Sequence, residues 1–252
     1  MMVIGSSGLY GWGLNQYGQL GLGNKANQYK PQKLPSLEGS FVQVALGALH
    51  SIILKSDGTL YACGSNESGQ LGIGSKHKEV NVPHQIHGIV GSVVQIACGF
   101  YHSMALLSDG SLYTWGNNTY GQLGTGDTTQ HPFPKKLSLI ATNVVQVGCG
   151  GYYSMVLTSE GMMYSWGKNY CGELGFGNTE DVVVLSPQRV LGVSHIGKFC
   201  CGFEHTLALS KEGELYSWGW NKEGQLGIGN FIHQASPQKV LLPLKVVGIS
   251  CG

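Results

Sequence analysis

Thiols and imidazoles recur at a fixed spacing. Cys98-Gly-Phe-Tyr-His102 and Cys201-Gly-Phe-Glu-His205 each set a cysteine four residues before a histidine, and the same place is filled by Leu46 and His50 and by Cys149 and Tyr153. Zinc needs three or four such ligands converging at about 2.0–2.3 Å. These pairs stand 51 or 52 residues from one another, so none finds its complement nearby and no metal is expected. The imidazoles are expected to bond neighbouring backbone at the inner end of a sheet, with contact to a partner as the alternative.

A second candidate is the loop Asn-x-x-Gly-(Gln/Glu)-Leu-Gly-x-Gly, opened by Asn15, Asn66, Asn118, Asn169 and Asn221. Glycine-rich loops can cradle phosphate. These contain neither Gly-x-Gly-x-x-Gly nor a Gly-Lys-(Ser/Thr) ending, so turn formation explains them better. Asp57, Asp109, Glu160 and Glu212 each precede a glycine, one per repeat, which fits turns rather than acid–base work. There is no Gly-x-Ser-x-Gly elbow and no His-Glu-x-x-His. No catalytic residue, metal or cofactor is expected, and the chain reads as a non-enzyme.

The elements that would position these residues repeat with them. (Leu/Met)-Tyr-x-(Trp/Cys)-Gly occurs with its tyrosine at Tyr10, Tyr61, Tyr113, Tyr164 and Tyr216, in steps of 51, 52, 51 and 52. Leu-Gly-x-Gly follows at Leu20, Leu71, Leu123, Leu174 and Leu226 with the same steps. Then come a Pro-x-x-apolar string, a valine-rich stretch and, in four cases, a (His/Tyr)-(Ser/Thr)-x-x-Leu string. Apolar residues alternate within each string, as half-buried strands require. In the stretch around Val94, Ile96 and Cys98, those three residues are expected on one face. Asp57-Gly58 and Asp109-Gly110 mark hairpins, and the proline string suits an outer edge.

Each period is therefore about four short antiparallel strands. One such sheet cannot bury its apolar faces alone, so successive sheets must stack: an all-β propeller, one domain over residues 1–252 with repeats starting near 8, 58, 110, 161 and 213. The chain starts and stops inside a repeat, so four complete repeats, partial repeats at both ends and an incomplete ring are expected.

Composition narrows the function. There are 40 glycines in 252 residues, 12% charged residues and a net charge of +1. That excludes disorder and gives no long-range pull toward nucleic acid or anionic lipid. No signal peptide or membrane span is apparent. The seven cysteines are odd in number and scattered, which reads as reduced thiols in a cytoplasmic or nuclear protein.

The string Leu112-Tyr-Thr-Trp-Gly-Asn-Asn-Thr-Tyr-Gly-Gln-Leu-Gly-Thr-Gly126, preceded by Cys98-Gly-Phe-Tyr-His-Ser-Met-Ala-Leu106, resembles the RCC1 (regulator of chromosome condensation) repeat over essentially the whole chain. Cys63, Leu46, Tyr153 and Glu173 depart from that pattern. The resemblance implies a seven-bladed propeller when complete, about two repeats more than this chain holds. It implies a protein-interaction scaffold, or alternatively nucleotide exchange on a Ran-like small GTPase. Steps of 51 or 52 leave no room for the wedge that exchange would need. A third reading is the RCC1-like part of a larger protein such as a ubiquitin ligase.

Candidate partner-facing residues are the row His50, His102, Tyr153 and His205, with Phe100, Tyr101, Tyr152, Phe203 and Glu204 beside it, because aromatic anchors favour interfaces. Loops 24–30, 75–79, 127–131, 178–181 and 230–234, which vary while the scaffold stays fixed, are a second candidate. Self-association through open blade faces is a further expectation.

Overall fold

Each alternating apolar string becomes a strand, and each hairpin signal joins two of them. The computed structural model describes residues 1–74, 76–138, 143–180 and 182–251, and among these there is no helix. Ser75 and Asp181, each at the end of a variable loop, and the terminal Gly252 lie outside the described residues.

The strands gather into two compact units. The first holds Met1–Asn118 and Thr129–Leu137. Its sheets are β1 (Met2–Gly5), β2 (Gly8–Gly13) and β3 (Gln28–Lys33); β4 (Phe41–Leu46), β5 (His50–Lys55), β6 (Leu60–Ser65) and β7 (Glu79–Gln85); and β8 (Val93–Cys98), β9 (His102–Leu107), β10 (Leu112–Gly116) and β11 (His131–Leu137). The second holds Thr119–Thr128 and the chain from Ser138 on. Its sheets are β12 (Val144–Cys149), β13 (Tyr153–Thr158), β14 (Met163–Lys168) and β15 (Val183–Arg189); and β16 (Ile196–Cys201), β17 (His205–Ser210), β18 (Leu215–Gly219) and β19 (Gln234–Val240). All pairings are antiparallel between consecutive strands. Four sheets are complete blades and one is partial. Each blade takes its inner two strands from one repeat and its outer two from the next.

The second strand of a blade carries the core. β9 and β13 are buried along their whole length. The Pro string lies within the outermost strand (Pro83 in β7, Pro187 in β15), where a missing N–H breaks no ladder.

Three details differ from the sequence reading. Val94 is 49% exposed while Ile96 is buried, because the register shifts between Val93 and Gln95. That bulge puts Val93, rather than Val94, on the buried side. Met2–Gly5, which matches no repeat string, pairs with β2 and supplies the strand that a (His/Tyr)-(Ser/Thr) string supplies elsewhere. The fifth valine-rich stretch, Val246–Cys251, is not a strand, since the described chain provides no following hairpin for it to join.

Neighbouring blades within a unit are fastened at one carbonyl. The Trp115 indole N–H donates to the Gln70 carbonyl at 3.0 Å, and the Ser103 hydroxyl donates to the same oxygen at 2.9 Å. In the second unit Trp166 and Ser154 do this to Gln122 at 2.9 and 2.8 Å. Trp218 and Thr206 do it to Glu173 at 2.9 and 3.3 Å. The glycine of Leu-Gly is fixed by the same contact. A Cβ on Gly175 would lie 2.8 Å from the Trp218 indole nitrogen, and its φ is +79°. Trp218→Phe removes the donor from a buried carbonyl and is expected to cost about 1–3 kcal/mol. Gly175→Ala, by strain and overlap, is expected to cost about as much or more. Urea unfolding checks both; midpoints equal to wild type would refute the fastening.

Candidate functional site

The consensus Asn of each loop is a backbone staple. Asn66 is buried; its Nδ2 donates to the Gly74 and His77 carbonyls at 2.7 and 2.8 Å, and its Oδ1 accepts from Leu71 N–H at 3.2 Å. Asn169 and Asn221 do the same in their own loops. The amide needed for turn closure is thus fully used, as the turn reading expected.

The histidine row is also largely internal. His50, His102 and Tyr153 are buried, and His205 is half-buried. His50 lies under Gly47, whose Cβ would come within 2.1 Å of the imidazole, so the glycine before each ring makes room for it. His50 Nε2 meets Ser103 Oγ at 2.9 Å. Ser103 spends its proton on Gln70, so Nε2 carries the hydrogen and the imidazole is neutral. Its partner is a hydroxyl of the next blade rather than backbone. Burial and the nearby His102 push its pKa down to about 3. Tyr153 reaches further than histidine would, donating to the His205 carbonyl at 2.6 Å.

The residues beside the row are the ones that reach the surface. Phe100 and Tyr101 are half-buried, with rings edge to face at 6.0 Å. In the second unit Tyr152 and Phe203 sit 6.2 Å apart. Two residues outside the sequence-derived set join them: Tyr120, 5.3 Å from Tyr152, and Tyr170, 6.0 Å from Tyr120. Tyr170 is 51% exposed and Phe203 37%. Backbone bonds hold the loops together: Lys168 N–H donates to the Tyr152 carbonyl at 3.0 Å, and Gly151 N–H to the Phe203 carbonyl at 2.8 Å.

Lys168, the last residue of β14, lies among these rings. Its ammonium is 4.7 Å from the Tyr170 centroid and 5.9 Å from that of Tyr152, and it pairs with the Glu204 carboxylate. Burial opposes its charge, but Glu204 outweighs burial and holds its pKa above the ordinary lysine value. Cys171 Sγ lies 3.8 Å from Glu204 Oε2. Burial, with Glu173 and Glu204 nearby, pushes its thiol up to about 11. Glu173 lies beneath and is fully buried; its Oε2 accepts from Cys171 N–H at 2.7 Å and its Oε1 has no partner. Burial pushes its pKa up to about 7.

Among the described residues no three His, Cys, Asp or Glu side chains could hold a metal, and all seven cysteines are free. The sequence offered a signal for this cluster in Glu173, a departure from the repeat. Lys168 and Tyr170 are similar departures, standing where Ser65 and Glu67 stand two repeats earlier.

The two buried groups act on stability with opposite sign. His50 has a lowered folded pKa, so its contribution is intact above pH 6.5 and is lost as pH falls toward about 3. Glu173 has a raised one, so its contribution is intact below pH 4.5 and is lost as pH rises through about 7. Glu173→Gln is therefore expected to stabilise the protein above pH 8 by about 2–4 kcal/mol and to change little at pH 5. Denaturant midpoints across this range check it; an effect independent of pH would refute it.

The model of the regulator of chromosome condensation (RCC1) repeat matches residues 6–54, 57–106, 109–157, 160–209 and 212–252. The chain is 36% identical to the ultraviolet-B receptor UVR8 of Arabidopsis thaliana, over 97% of this chain and 56% of that protein. It is also 36% identical to the probable E3 ubiquitin-protein ligase HERC4 of Homo sapiens, over 96% of this chain and 28% of that one. Among solved structures, human WBSCR16 superposes with a TM-score of 0.89 at 31% identity, over all of this chain and 67% of that chain. Yeast RCC1 (Prp20), solved bound to Kap60, superposes with 0.84 at 27% identity, over 96% and 59%. The chain thus spans about half, or less, of the curated relatives it matches. Its repeats, blades and neighbours agree, and the chain belongs to the RCC1 repeat family.

Proposed function

We propose that this chain is a protein-binding scaffold with no catalytic activity of its own, and that it takes its partner on the tyrosine face of the second unit. The observation that carries this reading is the set of partly exposed rings, Tyr120, Tyr152, Tyr170 and Phe203, gathered around one buried-edge ion pair. Rigid aromatics with a charged centre are the composition of binding hot spots. A fixed scaffold beneath them lowers the ordering cost of association. Free thiols throughout fit a protein of the cytoplasm or nucleus. Yeast RCC1 in complex with Kap60 lends support by family likeness.

Tyr170→Ala is expected to weaken binding of the cognate protein at least about tenfold, as loss of a hot-spot ring does. Tyr29→Ala, at a 93% exposed ring of the first unit, is expected to leave binding unchanged. Affinity measured for both variants decides it; equal affinities would refute the proposed face. Exchange on a Ran-like GTPase is the alternative function, and release of labelled GDP from such a GTPase is expected to proceed without acceleration.

A further inference from the structure

We propose that the tyrosine face is a receptor for a basic side chain of the protein partner, an arginine or a lysine, and that Lys168 keeps its place until it arrives. This rests on the proposed partner-binding function and names the partner's chemistry.

Lys168 already makes the contacts that a foreign cation would make. Its ammonium has the Glu204 carboxylate, the Tyr170 face at 4.7 Å and the Tyr152 face at 5.9 Å. A carboxylate beside aromatic faces is a general cation site. A guanidinium would use it better, since it stacks on rings and forks onto a carboxylate.

The displaced Lys168 has a second seat. Besides Glu204, the buried carboxyl of Glu173 acts electrostatically on the same ammonium, and it is incompletely bonded. In the second blade the corresponding residue is Gln70: its Oε1 accepts from Ser68 N–H at 2.9 Å and its Nε2 donates to Ser65 Oγ at 3.2 Å. Glu173 keeps the first bond, through Oε2 to Cys171 N–H. Its Oε1 replaces the donating nitrogen and is unpartnered, and the place of Ser65 is taken by Lys168. The lone oxygen thus stands in the position whose sister-blade counterpart bonds residue 65, and Lys168 holds the place of residue 65 here. A buried polar atom without a partner destabilises the fold, and an inward Lys168 would satisfy it.

Charge then has to balance. Below about pH 7 the resting Glu173 is kept protonated by burial, and Lys168 and Glu204 neutralise each other. With a basic side chain on Glu204 and Lys168 on Glu173, both carboxyls are ionised and one proton passes to solvent. Affinity must therefore rise about tenfold per pH unit until Glu173 is ionised, then level off. Of the other groups around Glu173, Cys171 and Tyr153 are held neutral by burial and Lys168 stays charged over this range. His205 is pushed below its ordinary pKa by burial. Thr206, whose hydroxyl reaches the Glu173 carbonyl, does not titrate.

The test is fluorescence anisotropy with labelled octa-arginine and octa-glutamate between pH 5.5 and 8.5. Wild type is expected to bind octa-arginine about tenfold more tightly at pH 6.5 than at 5.5, with a plateau near 8, and not to bind octa-glutamate. Glu204→Gln is expected to lose at least about tenfold. Glu173→Gln, which installs the residue of the sister blades, is expected to fold and to bind more weakly with no pH dependence. Wild-type affinity indifferent to pH, undiminished binding by Glu204→Gln, or equal binding of octa-glutamate would each overturn the inference. The two levels separate cleanly. A cognate protein lost by Tyr170→Ala but held by Glu204→Gln keeps the partner face and sinks the basic-residue receptor. Titrating octa-arginine binding with a cognate protein indifferent to Tyr170→Ala keeps the receptor and sinks the partner face.

Discussion

One carbonyl oxygen per repeat holds neighbouring blades together. At Gln70, Gln122 and Glu173 it accepts both an indole N–H and a hydroxyl from the following blade. Many consensus residues follow from that contact. Tryptophan is required because it must fill the gap between sheets and still donate at its far end. Serine or threonine must stand second in the second strand to supply the other proton. The glycine after leucine leaves space for the indole, as the 2.8 Å approach at Gly175 shows. The Asn staple sets the loop so that the carbonyl points outward to the next blade. Where Cys63 replaces tryptophan, its thiol meets the Gln19 carbonyl at 3.4 Å, a weaker version of the same bond.

This division of labour leaves some positions free. The backbone of Glu173 is committed to Trp218 and Thr206, but its side chain is not. Lys168 and Tyr170 flank the staple Asn169 without sharing its bonds. The fourth repeat has used this freedom more than the others, concentrating a base, two acids, a thiol and aromatic rings where its sisters carry amides and hydroxyls. A rigid frame makes such a cluster effective, because its members keep their geometry without ordering cost.

The fold was legible in the sequence because period and alternation are both long-range signals: five copies of one string specify strand order and pairing together. What escaped was local or spatial. The bulge beside Val94 changes which valine is buried, and no single-residue pattern announces it. Met2–Gly5 is a strand only because β2 offers it an edge. The tyrosine face unites Tyr120 and Tyr152 of one repeat with Tyr170 and Phe203 of the next, so it exists only once the chain has folded. Tyr152, Phe203 and Glu204 could be singled out beforehand because they adjoin the row of His50, His102, Tyr153 and His205. Lys168 had no such marker and is visible only as a departure from Ser65 and Asn117.

Glu173 is the residue hardest to explain by stability. Gln satisfies both ends of the same site in the second blade, whereas Glu must hold a proton at neutral pH or bury a charge, with one oxygen unbonded in either case. A residue that breaks the local rule at a thermodynamic cost, on a scaffold that otherwise keeps it, marks a site where something other than folding is being served. Its neighbours say what that is. Lys168, the cation that acts on it, already has a carboxylate at Glu204, and aromatic faces border that pair on the solvent side. A second carboxyl beneath an occupied cation site serves no purpose while the site stays as it is. It acquires one when a second cation arrives from outside and the first must retreat inward.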